Sequence, residues 1–127
     1  MTLFRASTQA ELPKQFGSSH NDAMIKIALH DSHHAADHSD NVLHVWNEVF
    51  GGVGDAASWR ETVWDRHRAR ADYHLATAYA DDRLVGFSWG YTGQRGQFWS
   101  DLVLDQLGSL LQDWVGGHFE FVELAVL

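Results

Sequence analysis

The last ten residues constrain the fold more than any other stretch, because they carry the pattern of one β-strand. Residues 118–127 are rich in β-branched and aromatic side chains and follow the glycines 116–117, which favours a strand over a short helix. Alternate side chains of a regular strand point to opposite faces. The pattern therefore predicts Glu120 and Glu123 on opposite faces of a sheet, each among apolar neighbours.

The two carboxylates of this strand are candidate catalytic groups. Burial on an apolar strand disfavours the ionised form and raises a carboxyl pKa toward the range in which a general base works. Alternatively, both lie at the wet margin of the sheet or accept hydrogen bonds from neighbouring groups. The strand alone leaves both interpretations open.

Two helices are predicted in the first half of the chain. Apolar residues recur at helical spacing from Asn41 to Phe50, just before a pair of glycines that would end the helix. Ser58 and Glu61 form a capping box, which predicts a second helix beginning at Trp59.

Three further segments have the period-two pattern of strands: residues 24–29, 73–80 and 83–91. The last two are joined by the turn Asp81-Asp82, which predicts a hairpin. An alternative places the first strand at residues 3–6 and makes 22–30 helical. Along 83–91 one face is nearly bare, formed by Gly86, Ser88 and Gly90. That surface either leaves room for a ligand or marks a bend or a closely packed helix.

A third helix is predicted after a Ser100 cap, with its apolar residues facing the core: Val103, Leu107, Leu110, Leu111 and Trp114. The fold class expected from these elements is α/β of the α+β type. Its sheet is mainly antiparallel, with three or four strands in sequential order and three flanking helices.

Length and composition favour one domain. The chain has 127 residues, 45% of them hydrophobic, and we expect an N-terminal extension over 1–22 and a domain over 23–127. Zero cysteines exclude disulfides, cysteine-based zinc sites and thiol nucleophiles, and predict a cytoplasmic protein. No N-terminal apolar run is long enough for a signal peptide or a membrane span.

The charge of the chain argues against nucleic acid as a partner. Phosphate neutralisation requires clustered Lys and Arg, and only nine are present at a net charge of −8. The acidic balance suits a cationic amine substrate or serves solubility alone. One basic cluster, Arg60, Arg66, Arg68 and Arg70, could meet a ligand phosphate or form a solvated helix face.

Two motifs resemble those of the GCN5-related N-acetyltransferases: Arg83-Leu84-Val85-Gly86-Phe87, similar to their third strand, and Glu123-Leu124-Ala125-Val126, similar to the end of their fourth. The resemblance implies acyl transfer from acetyl-CoA to an amine of a small molecule or peptide. It implies Glu123 or Glu120 as the base, acting through water, and the backbone of Leu124, Ala125 and Val126 as the site of the pantetheine arm and thioester. Glu48, Tyr91, Gln94 and Trp99 are the expected acceptor-side residues.

In the family, a glycine-rich loop opening a helix then binds the CoA pyrophosphate. This sequence ends before such a loop, so we expect the N-terminal half of the fold, inactive alone or half of a split enzyme. An apolar strand left at a sheet edge invites pairing. We therefore expect a homodimer, or a heteromer, through Phe119 to Leu127.

Two other classes of function compete with the enzyme. One is a noncatalytic interaction module derived from the same fold. The other is metal binding by a histidine-rich tract, in which His30, His34 and His38 would form one stripe if the segment were helical. The tract is also consistent with a solvated polar loop and helix entry, because such composition is not specific.

Overall fold

The computed structural model describes residues 24–127. The predicted extension over 1–22 and the alternative strand at 3–6 lie outside the described residues. Four strands form one antiparallel sheet in the order β1-β2-β3-β4: β1 Ile25–Asp31, β2 His74–Ala80, β3 Arg83–Thr92 and β4 Phe119–Val126. The predicted α+β class and the sequential antiparallel order are confirmed.

Three helical regions accompany the sheet. The first contains α1 Ser32–Ala35, a 3₁₀ turn Ala36–His38 and α2 Ser39–Phe50. The second contains α3 Ala56–Trp59, a π-helical segment Arg60–Asp65 and α4 Arg66–Arg68. The third contains α5 Phe98–Leu107 and a 3₁₀ turn Gly108–Leu111. No helix within residues 24–127 is both long and apolar enough to cross a membrane.

The second helical region begins earlier than the capping box predicted. Oδ1 of Asp55 accepts the N–H of Ala57 at 3.0 Å, so Asp55 is the N-cap and the helix begins at Ala56. Ser58 lies inside the helix, and its carbonyl accepts the Thr62 hydroxyl at 2.7 Å. The predicted start at Trp59 is wrong, because Asp55, the residue immediately before the helix, provides the cap.

The third helical region does not pack as predicted. Gln97, not Ser100, is the residue before α5, and Ser100 is fully buried within the helix. Leu107 and Leu110 are 53% and 86% exposed, so the predicted core-facing stripe is wrong for these two. The first turn of α5 contacts the sheet, because Ser100 in that turn hydrogen-bonds to Glu120 at the start of β4.

The core lies between one face of the sheet and the first two helical regions. A ring of four tryptophans dominates this covered face: Trp46, Trp59, Trp64 and Trp89. Successive members of the ring have centroids 5.7 or 5.8 Å apart, a distance typical of interacting aromatic pairs. Val42, Val45 and Leu75 fill the space around it with no exposed surface. The predicted apolar stripe of α2 is thereby confirmed for Val42, Val45 and Trp46, whereas Val49 and Phe50 are 40% and 48% exposed.

The other face of the sheet, called here the open face, is covered by no element among residues 24–127. Its register places small residues in the middle strands: Ala76, Ala78, Gly86, Ser88 and Gly90. Large apolar residues stand on the outer strands: Ile25, Ile27, Leu29, Phe119, Phe121, Leu124 and Val126. The result is a trough with apolar walls and a floor of small residues.

Candidate functional site

A β-bulge in β4 brings the two predicted carboxylates to the same face of the sheet. The cross-strand partners are Trp89 for Glu123 and Tyr91 for Glu120. Trp89 and Tyr91 are two positions apart on β3 and share a face, whereas their partners are three positions apart on β4. Val122 is the extra residue, and it reverses the alternation. The predicted placement of Glu120 and Glu123 on opposite faces is therefore wrong.

Glu123 is half-buried on the covered face. The loss of water around its carboxyl raises the pKa of Glu123 above its ordinary value. Its backbone carbonyl accepts the hydroxyl of Ser88 at 2.8 Å, which ties the bulged part of β4 to β3. A carboxylate whose pKa is raised toward neutrality is suited to general-base work.

Glu120 belongs to a buried hydrogen-bonded network. Its Oε1 lies 2.7 Å from Nε2 of His118 and 3.3 Å from Oγ of Ser100. Nδ1 of His118 lies 2.6 Å from the carbonyl of Trp114, and the two rings stack with centroids 3.6 Å apart. Both ring nitrogens of His118 thus face oxygen atoms, so a ring with an N–H on each nitrogen satisfies both contacts.

Two glycines make room for this network. A methyl group at Gly93 would overlap the ring of His118 and the carboxylate of Glu120, and one at Gly90 would overlap the backbone of Glu120 and the ring of Phe119. The carbonyl of His118 also accepts the N–H of Gly93 at 3.1 Å. Glycine is therefore required at Gly90 in β3 and at Gly93 just after it, because a side chain at either position would prevent the first half of β4 from lying so close to β3.

Glu120 lies where two adjoining clefts meet, and Tyr91 and Trp99 line both of them. The larger cleft, about 600 Å³, is mostly aromatic and is completed by Trp114, His118, Phe119, Phe121 and Val122. The smaller, about 270 Å³, is completed by Arg66, His67, Arg70, Gln97 and Phe98. Three of the residues singled out from the sequence, Tyr91, Trp99 and Glu120, therefore converge on one place.

A histidine and a tyrosine form one side of the smaller cleft. Nδ1 of His67 lies 3.0 Å from the hydroxyl of Tyr91. Burial, with smaller effects of Arg66 and Arg70, lowers the pKa of His67, and burial raises the pKa of Tyr91. Both side chains are thus held in their neutral forms near neutral pH.

The predicted basic cluster is divided between two roles. Arg60 pairs with Asp40, and Arg68 pairs with Asp65 at 3.0 Å while also donating to the carbonyl of Ser32. Arg66 and Arg70 instead line the smaller cleft. The solvated-face interpretation thus describes only part of the cluster.

The other two acceptor-side residues lie elsewhere. Gln94 is exposed in the loop before α5, where its carbonyl accepts the N–H of Gln97 at 3.3 Å. Glu48 is exposed on α2. Neither residue lines the two clefts around Glu120. The structure thus brings together two of the four predicted acceptor-side residues.

The outer edge of β4 presents backbone groups. The N–H of Leu127 donates to the carbonyl of Val85 at 2.8 Å, so alternation directs the backbone of Ala125 toward β3 as well. The N–H and C=O groups of Leu124 and Val126 point away from β3. Of the three predicted backbone positions, two can therefore bind a ligand or strand along this edge.

The histidine tract does not form the predicted stripe. His30 lies in strand β1, so His30, His34 and His38 are not on one helix, and that expectation is wrong. The rings of His30 and His38 lie close together, with centroids 4.1 Å apart. His34 is directed elsewhere, with its Nδ1 2.8 Å from Oδ1 of Asp31. Within residues 24–127, no group of three or more His, Cys, Asp or Glu side chains is arranged to hold a metal ion.

Several residues of the site were missed by sequence reasoning. The sequence pattern indicates His118 only as the start of a strand and Ser100 only as a helix cap, and it places Gln97 in a polar loop between two elements. One signal was present for the first, since His118 and Glu120 are two positions apart and share a face of an extended strand. Nothing local could reveal Gln97 or Ser100, because their site contacts join α5 to β3 and β4.

Comparisons of the chain with protein-family models, with curated proteins and with solved structures returned no match. The site's own geometry and chemistry therefore carry the functional argument.

Proposed function

We propose that the protein is an N-acyltransferase that moves the acyl group of acetyl-CoA to an amine of a small molecule or peptide. The observation that carries the proposal is the bulge at Val122. It turns Glu123 and Glu120 toward one face of the sheet, on which Glu120 lines the cleft together with Tyr91 and Trp99. A base and an acceptor cleft are thus contributed by the same short strand.

The free edge of β4 supports binding of the acyl donor. The pantetheine arm of CoA contains two amide groups, which can pair with a strand edge as another strand would. The backbone groups of Leu124 and Val126 point outward along that edge. An N–H there can also donate to the thioester carbonyl and stabilise the negative charge that develops on its oxygen during attack.

The proposed step starts with an ammonium, since an alkyl amine has a pKa of about 10. Glu123 takes a proton from the nitrogen through one water molecule. The nitrogen lone pair then attacks the thioester carbonyl carbon, forming the C–N bond, and the C–S bond breaks. The acylated nitrogen still carries two protons and gives one of them to the leaving thiolate, so the products are the N-acylated amine and CoA. The β3 partners of Glu123 and Glu120 are two strand positions apart, roughly 7 Å, a span that a water and an amine can bridge.

Thiol release with acetyl-CoA and a panel of amines tests the proposal. The chain contains no cysteine, so every free thiol detected comes from CoA. Glu123→Gln is expected to slow release by roughly 10²-fold or more, the usual effect of losing a general base. Glu61→Gln makes the same change at an exposed helix position and should leave the rate unchanged. No release with any amine, together with no calorimetric binding of acetyl-CoA at millimolar concentration, would reject the enzyme.

The open face favours a second candidate function, an interaction module that pairs two copies of the chain. Seven large apolar side chains are 46% to 84% exposed on this face. Covering one fully contributes roughly 1.5–3 kcal/mol, so seven together contribute at most roughly 10–21 kcal/mol, which is comparable with the roughly 4–15 kcal/mol cost of association. An interface of standard size takes about 800 Å² from each partner, and a sheet face of four strands is of that order.

A second copy is the occupant that best fits the trough. The floor residues of the trough carry no charged side chain, so an apolar partner surface fits it best. In a two-fold pair the same patch serves both copies, and a wall of one copy can lie over the small-residue floor of the other. The walls on β1 and β4 are roughly 14 Å apart, three strand spacings, which leaves space for that insertion.

Light scattering tests the pairing. The unmodified chain should have twice the monomer mass, and Leu124→Lys should give the monomer. Leu110→Lys makes the same change at an exposed apolar residue outside the open face and should leave the dimer intact. A monodisperse monomer at high concentration would reject the pairing, whereas a dimer insensitive to Leu124→Lys would place the interface elsewhere.

A further inference from the structure

The smaller cleft contains two buried polar atoms with no partner in the described residues, Nε of Arg70 and Oε1 of Gln97. Both side chains line the cleft, which Tyr91, Trp99 and Glu120 complete at the base of the larger one. A donor and an acceptor buried without partners cost desolvation, so a ligand that pairs with both gains their hydrogen bonds. The other buried side-chain atoms without partners in the described residues belong to Trp59, Tyr73 and Trp89, which do not line this cleft.

The orientation of the Gln97 amide is fixed by the fold. Its Nε2 donates to the carbonyl of Thr92 at 3.3 Å, so its Oε1 is the atom directed away from that contact. The residue is only 5% exposed, since it lies between the end of β3 and the first turn of α5. A ligand group that meets Oε1 must be a hydrogen-bond donor, such as the N–H of an amine.

The arginines of the same cleft favour an anion beside them. Among the ion pairs of residues 24–127, none includes Arg66 or Arg70. The nearby carboxylate of Glu120 is already engaged by His118 and Ser100. Two guanidinium groups without carboxylate partners are the usual recognition elements for a carboxylate.

We propose that the acceptor is a free α-amino acid with an apolar or aromatic side chain. Its carboxylate binds Arg66 and Arg70, and its amine N–H donates to Oε1 of Gln97. Its side chain lies against Tyr91 and Trp99, whose rings extend from the smaller cleft into the larger aromatic one. A volume of about 270 Å³ suits a ligand of this size, below the range of larger organic ligands. This inference rests on the N-acyltransferase function and names its acceptor.

Calorimetry without any acyl donor tests the inference separately from the chemistry. Phenylalanine, phenylalaninamide and phenethylamine differ only in the carboxylate, and we expect phenylalanine to bind at least 10-fold more tightly than either of the others. Equal affinity for all three, or no binding of phenylalanine, would overturn the inference and would indicate that water satisfies the two buried atoms. This series needs no variant, so it does not depend on the folding of one.

Variants then locate the binding site. Arg70→Gln should abolish the preference for phenylalanine over its amide, while Arg83→Gln, at the exposed start of β3, should keep it. Loss of the preference in both variants would show a general charge effect and reject the site. If thiol release occurs with simple amines and shows no preference for a carboxylate, the N-acyltransferase function is supported and the amino-acid acceptor is rejected.

If phenylalanine binds but no acyl transfer is found, the amino-acid site is supported and the N-acyltransferase function is rejected.

Discussion

The same four strands form both faces of the sheet, but one face is packed against helices and the other is exposed. On the covered face, β3 contributes Phe87, Trp89 and Tyr91, all buried under the helices. On the open face, the same strand contributes Gly86, Ser88 and Gly90 between apolar walls that no described element covers. Because successive side chains of a strand point to opposite faces, the same strand contributes to the packed core and to the exposed apolar surface.

The difference teaches that burial and apolar character are separate properties in this protein. Glu123 is half-buried and Glu120 is hydrogen-bonded on the covered face, whereas the exposed apolar walls of the trough lie on the other. The stability of the chain itself should therefore depend on the first face, and its association on the second.

The largest expected effect comes from truncating the same kind of residue on each face. Trp89→Ala should destabilise the chain by roughly 3–5 kcal/mol, because Trp89 is 1% exposed and the cavity cannot fill. Phe121→Ala, at 84% exposure, should change the free energy of unfolding of the monomer by less than about 0.5 kcal/mol. Urea unfolding at low protein concentration measures both. Similar losses would show that the open face also packs within one chain.

Glycine substitutions provide an intermediate effect. Gly93→Ala forces a methyl group into the His118–Glu120 pair and should cost roughly 1–3 kcal/mol, as overpacking does. In Gly86→Ala, on the floor of the open face, the added methyl group would lie 3.2 Å from the carbonyl oxygen of Ala125. A small shift accommodates it, so the loss in the free energy of unfolding should be below about 1 kcal/mol. The difference in urea midpoint between the two variants is the measurement. A larger cost at Gly86 would contradict the assignment of the tight approach to Gly93.

The smallest expected effect is a pH dependence caused by Glu123. Its pKa is raised by burial in the folded state, so the folded chain binds more protons than the unfolded chain between the two pKa values. The resulting contribution to stability is complete below the ordinary value of 4.5 and is lost as the pH rises through the folded pKa. Glu123→Gln removes this loss, so the variant should gain stability relative to the unmodified chain between pH 4 and pH 7.5. A difference that does not change with pH would show that Glu123 is fully hydrated.

The strand order and the two-faced character of β3 were predictable, because they follow from local periodicity. Gly86, Ser88 and Gly90 alternate with large residues in the sequence, and the structure keeps that alternation. The turn at Asp81-Asp82 joins β2 to β3 as expected, with Asp81 at a φ of 52°. Such features need only the chemistry of near neighbours.

The bulge was not predictable, because Val122 resembles any other strand residue until its partners on β3 are known. One unpaired residue moved a carboxylate from one face to the other, and the site changed with it. The pair formed by His118 and Glu120 likewise depends on the close approach of Gly93, and the buried amide of Gln97 depends on where α5 meets β3. These contacts are fixed by tertiary packing and have no local pattern.

The arrangement of tryptophans divides the optical behaviour of the chain. Four of the six form the ring in the core, where coupled indole transitions should give a strong near-ultraviolet circular dichroism signal that disappears on unfolding. The other two, Trp99 and Trp114, line the aromatic cleft beside Glu120, and Trp114 stacks on His118. A ligand entering the cleft should change the emission of these two alone. The molecule thus contains one chromophore set that reports on its fold and another that reports on its occupancy.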